Sequence, residues 1–197
     1  MKPQIEKPSE QAMKFFKPEL FIRFNSADDD EADRADEEWE AAISAYREHL
    51  DGLRDQMPSQ VKILAGLCLH DAELLACEQK IEPFFPISPF EPFPFWSGIA
   101  ILSIRKGDEI ISLIYALWDR VLEHPPEGEW PFSKLRTHWL YDEVDVSPNQ
   151  RGMFLHRVLL SDGTTMEIPF LSALIHTFPL QEGLERNACR RRPDVDV

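Results

Sequence analysis

Met153-Phe154-Leu155-His156-Arg157-Val158-Leu159-Leu160, then Ser161-Asp162-Gly163, then Met166-Glu167-Ile168-Pro169-Phe170: this stretch decides the fold class. Two short apolar runs flank a three-residue turn in which Gly163 supplies positive φ at little steric cost. Strands joined so tightly must run antiparallel, because a parallel pair needs a long crossover. The same texture extends to both sides. Trp139-Leu140-Tyr141-Asp142-Glu143-Val144-Asp145-Val146 alternates toward a Pro-Asn turn, and Leu174-Ile175-His176-Thr177-Phe178 reads as a separate final strand.

Farther upstream, Ile99 to Arg105 reads as a strand and Lys106-Gly107 as a turn. Ile110 to Trp118 then has two readings. It pairs back as a hairpin arm, or Ile110, Ile111, Ile114, Leu117, Trp118, Val121 and Leu122 form a helical stripe capped by Asp108. The strand reading is the one adopted. Residues 82–95 hold five prolines and five phenylalanines, a density that forbids helix and central strand alike. They read as an extended loop whose rings pack back on the sheet or are presented to a partner, with Phe90 and Phe93 as candidate contacts.

The first third is helical. Trp39, Ile43, Tyr46, Leu50, Leu53 and Met57 recur at steps of three and four, one stripe of a helix over about 28–56. Ser26 is the expected N-cap, the acidic first turn suits the positive end of the helix dipole, and Pro58 stops the element. A second helix after Ser59 carries Val61, Leu64 and Leu67, and a strand is expected from about Leu69. Residues 14–25 suggest a short strand or helical turn. The expected fold is α+β, with N-terminal helices followed by a mainly antiparallel β-sheet. One domain over 13–180 is expected between flexible tails at 1–12 and 181–197, which suits a chain of 197 residues.

Charge narrows the function. Lys and Arg number 21 against 35 Asp and Glu, net −14, the wrong sign for a general nucleic-acid binder. Twelve of those carboxylates fall within 28–55 against three arginines, a local balance of −9. Such a surface either solubilises a helix or steers a basic protein partner. The candidate contacts are Asp28, Asp29, Asp30, Glu31, Glu37, Glu38 and Glu40. The N-terminus has no signal-peptide core, and no apolar run nears the ~18 residues of a membrane span. Cys68, Cys77 and Cys189 show no CxxC spacing and fit reduced thiols, the first two as small buried hydrophobes. A cytoplasmic protein without cofactor or membrane contact is the expectation.

Catalytic candidates are few. His70-Asp71 is a dyad of the kind that supplies two ligands in some metal phosphohydrolases, or else it satisfies a turn beside a strand. His138, His156 and His176 lie near strands, but no HxH, HExxH or Cys/His spacing makes them converge as zinc requires. Asp142, Glu143 and Asp145 read as a rim of solvated charge, Asp142 and Glu143 facing opposite sides of a strand. Arg136 and Arg151 are the expected basic contacts. No glycine-rich phosphate loop occurs.

Leu69-His70-Asp71-Ala72, Trp139-Leu140-Tyr141-Asp142-Glu143 and Leu159-Leu160-Ser161-Asp162-Gly163 through Glu167-Ile168-Pro169-Phe170 resemble small acidic bacterial proteins of unknown function. Those share helices, an LHDA-like junction and strands ending in a similar hairpin, and some are associated with polymorphic-toxin loci as immunity proteins. The resemblance spans about 13–178, implies no catalytic residues and leaves the proline-phenylalanine loop unmatched. Together these features point to a non-enzymatic interaction protein, an immunity-type inhibitor of a basic toxin or nuclease. The alternative is a metal-dependent hydrolase built on His70 and Asp71, and a third is a regulatory subunit docking through the aromatic loop.

Overall fold

The computed structural model describes residues 13–83, 96–132, 136–147 and 152–180. Both expected tails, and the loop carrying Phe90 and Phe93, lie outside them. Helix α1 (Pro18–Phe24) starts on a proline, whose missing N–H costs nothing at that position. Residues 14–25 therefore hold a helix. Helix α2 (Asp29–Leu53) follows and runs into a 3-10 turn at Arg54–Gln56. Its N-cap is Asp28, whose carboxylate accepts the N–H groups of Asp30 and Glu31 at 3.1 and 3.4 Å. Ser26 instead accepts the N–H of Asp28, ordering the residue that does the capping. Helix α3 (Ser59–Ala65) begins after Pro58 and stops at Gly66.

Seven strands follow: β1 (Glu73–Pro83), β2 (Trp96–Lys106), β3 (Glu109–Leu117), β4 (Leu122–His124), β5 (Trp139–Val146), β6 (Phe154–Leu160) and β7 (Thr165–Pro179). They form one sheet in the order β1-β2-β3-β7-β6-β5, with β4 also on β7, and every pair is antiparallel. The α+β expectation holds. The ambiguous 110–118 segment is strand β3, since Ile111, Leu113, Tyr115 and Leu117 are buried while the residues between them face the other way.

Two boundaries differ from the sequence reading. Leu69 to Ala72 is a turn, not strand, because Asp71 adopts φ 64° and Ala72 N–H closes back on Leu69 O. Met166–Phe170 and Leu174–Phe178 are halves of one strand, β7. A bulge near Leu171 lets it pair β6 with its first half and β3 with its second.

The sheet curls until its ends meet. Glu73 bridges His138, Asp71 N–H donates to Trp139 O at 2.9 Å, and Trp139 N–H and Leu74 N–H donate to Ala72 O and Thr137 O at 2.8 Å. The beginnings of β1 and β5 thus close one end of a barrel. Ala100, Leu102, Ile104, Leu113, Tyr115, Val158, Ile168 and Phe170 fill its interior, together with Val61 and Leu64 of α3. On the outer side of β5 and β6, Leu140 and Leu159 pack with Phe16 and Leu20, and with Trp39 and Tyr46 of α2. The α2 stripe therefore covers one wall of the barrel.

Candidate functional site

The acidic helix shows its charges in two different states. Arg23, in the last turn of α1, grips Glu38 with both terminal nitrogens at 2.7 and 2.8 Å, and its Nε bonds Glu31. Arg34 adds a bond to Glu31 at 2.7 Å. Two of the seven candidate carboxylates are thus held within the chain, and Asp28 serves as the cap. Asp29, Asp30, Glu37 and Glu40 stay exposed. Asp29, Asp33, Asp36, Glu37 and Glu40 follow helical spacing along an exposed side of α2, and none forms an ion pair among the described residues. They make a continuous anionic ridge.

The Arg23 fork has a pH signature. Its hydrogen bonds, with those from Arg34 for Glu31, hold the carboxyls of Glu31 and Glu38 below their ordinary 4.5. Because the folded values are depressed, the stabilisation is complete above about pH 4.5 and is lost as pH falls through them. In a carboxyl NMR titration Glu31 and Glu38 should titrate below 4.5 and return toward it in Arg23→Gln. Midpoints at 4.5 in the unaltered protein would show that the fork does not persist in solution. The α1–α2 seam beside it opens as a groove of about 580 Å³, lined by Lys14, Lys17, Arg23, Glu38 and a floor including Ala41 and Ala45.

The three strand carboxylates are not a solvated rim. Asp142 and Glu143 do face opposite sides, but helices and the N-terminal segment cover the outer one. Glu143 is 1% exposed and accepts the backbone N–H groups of Lys14, Phe15 and Phe16 at 2.8, 2.5 and 2.7 Å. Asp145 faces His49 Nε2 at 2.9 Å and Arg157 at 3.6 Å, and Lys14 lies 3.9 Å away. Arg136 supplies no ion pair among the described contacts, and Arg151 lies outside the described residues. Tyr46 of α2 completes this wall, its hydroxyl accepting the Val144 N–H at 2.7 Å. Burial pushes the Tyr46 phenol up, so it stays neutral.

Inside the barrel, Asp142 belongs to a buried polar chain. Its Oδ1 accepts the Trp139 indole N–H at 2.8 Å, and its Oδ2 lies 3.1 Å from His156 Nε2. His156 Nδ1 lies 2.8 Å from the Tyr115 hydroxyl. A carboxylate only accepts, so the pattern assigns the imidazole proton to Nε2 and leaves Nδ1 to accept from Tyr115. Tyr115 and His156 are both 0% exposed, and burial, with the Asp142 charge second, lifts the phenol well above its usual range. The Asp-His-Tyr chain thus runs from a partly exposed carboxylate, 15% accessible, to a fully buried phenol and orients the core.

The other candidates are placed as follows. His70 Nδ1 sits 2.9 Å from Asp71 Oδ2 on the exposed turn that closes the barrel, with the ring against Tyr141 at 5.2 Å. This is the turn-satisfying arrangement. His138 lies at the barrel closure, His156 inside, and His176 on the outer face of β7 beside Phe178, so the three do not converge. Among the described residues no group of three or more His, Cys, Asp or Glu side chains is placed to hold a metal ion. Cys77 is half-buried in the β1 wall, and burial pushes its thiol up. Cys68 is exposed, not packed as expected, because residues 66–72 leave the helix as a turn at the barrel's end. No helix among the described residues is long and apolar enough to cross a membrane. No family model matches the chain, and no curated protein is similar to it.

Sequence reasoning missed Glu143 and the His156 chain. The signal for Glu143 was weak but present: Met13, Phe15 and Phe16 are apolar residues that need a cover, and an ordered segment needs an acceptor for its N–H groups. For His156, a histidine between Phe154 and Val158 on one face of a strand is a buried polar group that must find partners.

Proposed function

We propose that this chain is a non-enzymatic interaction protein that captures a basic partner on the ridge of α2, as an immunity-type inhibitor would capture a cationic toxin or nuclease domain. The observation that carries the reading is the ridge Asp29, Asp33, Asp36, Glu37 and Glu40, which forms no ion pair among the described residues while Glu31 and Glu38 are latched to Arg23. Unneutralised like charges on a rigid helix destabilise the isolated chain slightly and raise the on-rate for an opposite charge. The indoles and rings beneath fix the helix, so the ridge is presented without ordering cost at binding.

The test is charge reversal confined to the ridge. Glu38 is left alone, because reversing it would break the Arg23 fork and unseat α1. Asp36→Lys, Glu37→Lys and Glu40→Lys together should leave the far-UV spectrum and melting curve nearly unchanged. Immobilised unaltered protein should retain a basic protein from lysate that elutes on a salt gradient, whereas the reversed protein should not. For a complex steered by several charges the loss should be at least ~10-fold at low salt and smaller at high salt. Equal capture by both proteins at low salt overturns the proposal.

A further inference from the structure

Across the barrel from α2, strands β1, β2, β3 and β7 turn to solvent an outer face on which two rows of apolar residues flank a polar row of Ser103, Ser112 and His176. The register aligns Ile101, Ile114 and Leu174 in one row, and Ile110 and Phe178 in another beside Arg105. Ile99 and Leu174 are each 52% exposed, as is Phe178. Neither hydrophobic cluster contains these outward residues, and no helix among the described residues packs over them.

We propose that this face is the interface of a homodimer of the chain. Two observations favour a second copy over a charged partner. First, the charge on the face is balanced among the described side chains: Glu73 and Glu78 stand with Lys80 and Arg105 on the outward positions of β1 and β2, and no Asp, Glu, Lys or Arg occupies the outward positions of β3 or β7 that pair with them. The local −9 of residues 28–55 lies on the opposite wall. Two strongly acidic chains repel least when they meet here.

Second, the size fits. Four strands about 4.8 Å apart and nine residues about 3.3 Å each project to roughly 600 Å². A side-chain-bearing surface has more accessible area than its projection, which brings the patch near the ~800 Å² per partner of a stable interface. The dimer leaves both α2 ridges pointing outward.

Sedimentation velocity on the full chain, from low to high micromolar, should show a species of twice 22.9 kDa. Ile101→Lys with Leu174→Lys places charge in the central row and should raise the dimer dissociation constant at least ~100-fold. Should that double variant fail to fold, Leu174→Gln, at an exposed position, should raise it about tenfold. Glu37→Lys with Glu40→Lys, on the far wall, should leave the dimer intact. A monomer throughout the range overturns the proposal, as does a dimer that withstands the central-row substitutions or dissociates with the α2 pair.

Discussion

Glu143→Ala is expected to lower the unfolding free energy by about 3 kcal/mol, a large part of the 5–15 kcal/mol that holds a typical domain. One carboxylate accepts three consecutive backbone N–H groups of Lys14, Phe15 and Phe16 from the far end of the chain. Removing it leaves donors buried against Tyr46, Trp39 and Tyr141, whose rings surround Phe16 at 5.4 to 5.7 Å. Residues 13–16 then either keep unsatisfied donors, at about 1–3 kcal/mol each, or lift away and expose Met13 and Phe16. The second route is cheaper and caps the loss. Urea unfolding followed by tryptophan fluorescence measures it. Glu143→Gln keeps one acceptor oxygen but turns an amide N–H₂ toward backbone donors, so about 2 kcal/mol is expected. A loss under about 1 kcal/mol in the alanine variant would mean that the contact does not hold the segment in solution.

Gly163→Ala should cost about as much, for a steric reason. Gly163 has φ +85°, and a Cβ added there would meet Trp130 Cδ2, Cε3 and Cγ at 2.5, 2.7 and 2.9 Å. The indole cannot step aside freely, because its N–H donates to Ser161 O at 2.8 Å and its ring stacks with Phe21 of α1. About 1 kcal/mol is expected from the backbone conformation and about 2 kcal/mol from overpacking. Gly107→Ala separates the two. Gly107 has φ +58° and open space around its Cα, so only the backbone cost of about 1 kcal/mol should remain. Equal losses at both sites would sink the steric account.

What could be read from the sequence was what short-range pattern encodes. Met153–Phe170 reads as a hairpin because side-chain alternation and a glycine turn are local facts, and α2 reads as a helix because six apolar residues share one stripe. The period failed where both periodicities fit. Between Ile110 and Leu122 the apolar residues satisfy a helical stripe and an alternating strand alike, and only pairing with β2 and β7 decides. Barrel closure left no trace, since it is made by backbone groups of Asp71, Ala72, Leu74 and Trp139, which any residue could supply. Strand carboxylates read as solvated because alternation says which face a residue takes, not what later covers it. The acidic ridge was visible as composition. Its division into latched and free carboxylates depends on Arg23, which belongs to another helix.

The long strand β7 has a consequence for how the chain reaches this state. Its first half pairs with β6 in a local hairpin, but its second half places Ile175 opposite Leu113, 62 positions earlier. That pairing must close a long loop before any contact along it is gained. The hairpins β2–β3 and β6–β7 can each form early, yet neither buries its inner face until the second half of β7 pairs with β3. Joining the two halves of the sheet therefore waits on a distant capture, and through β7 they gain and lose structure together.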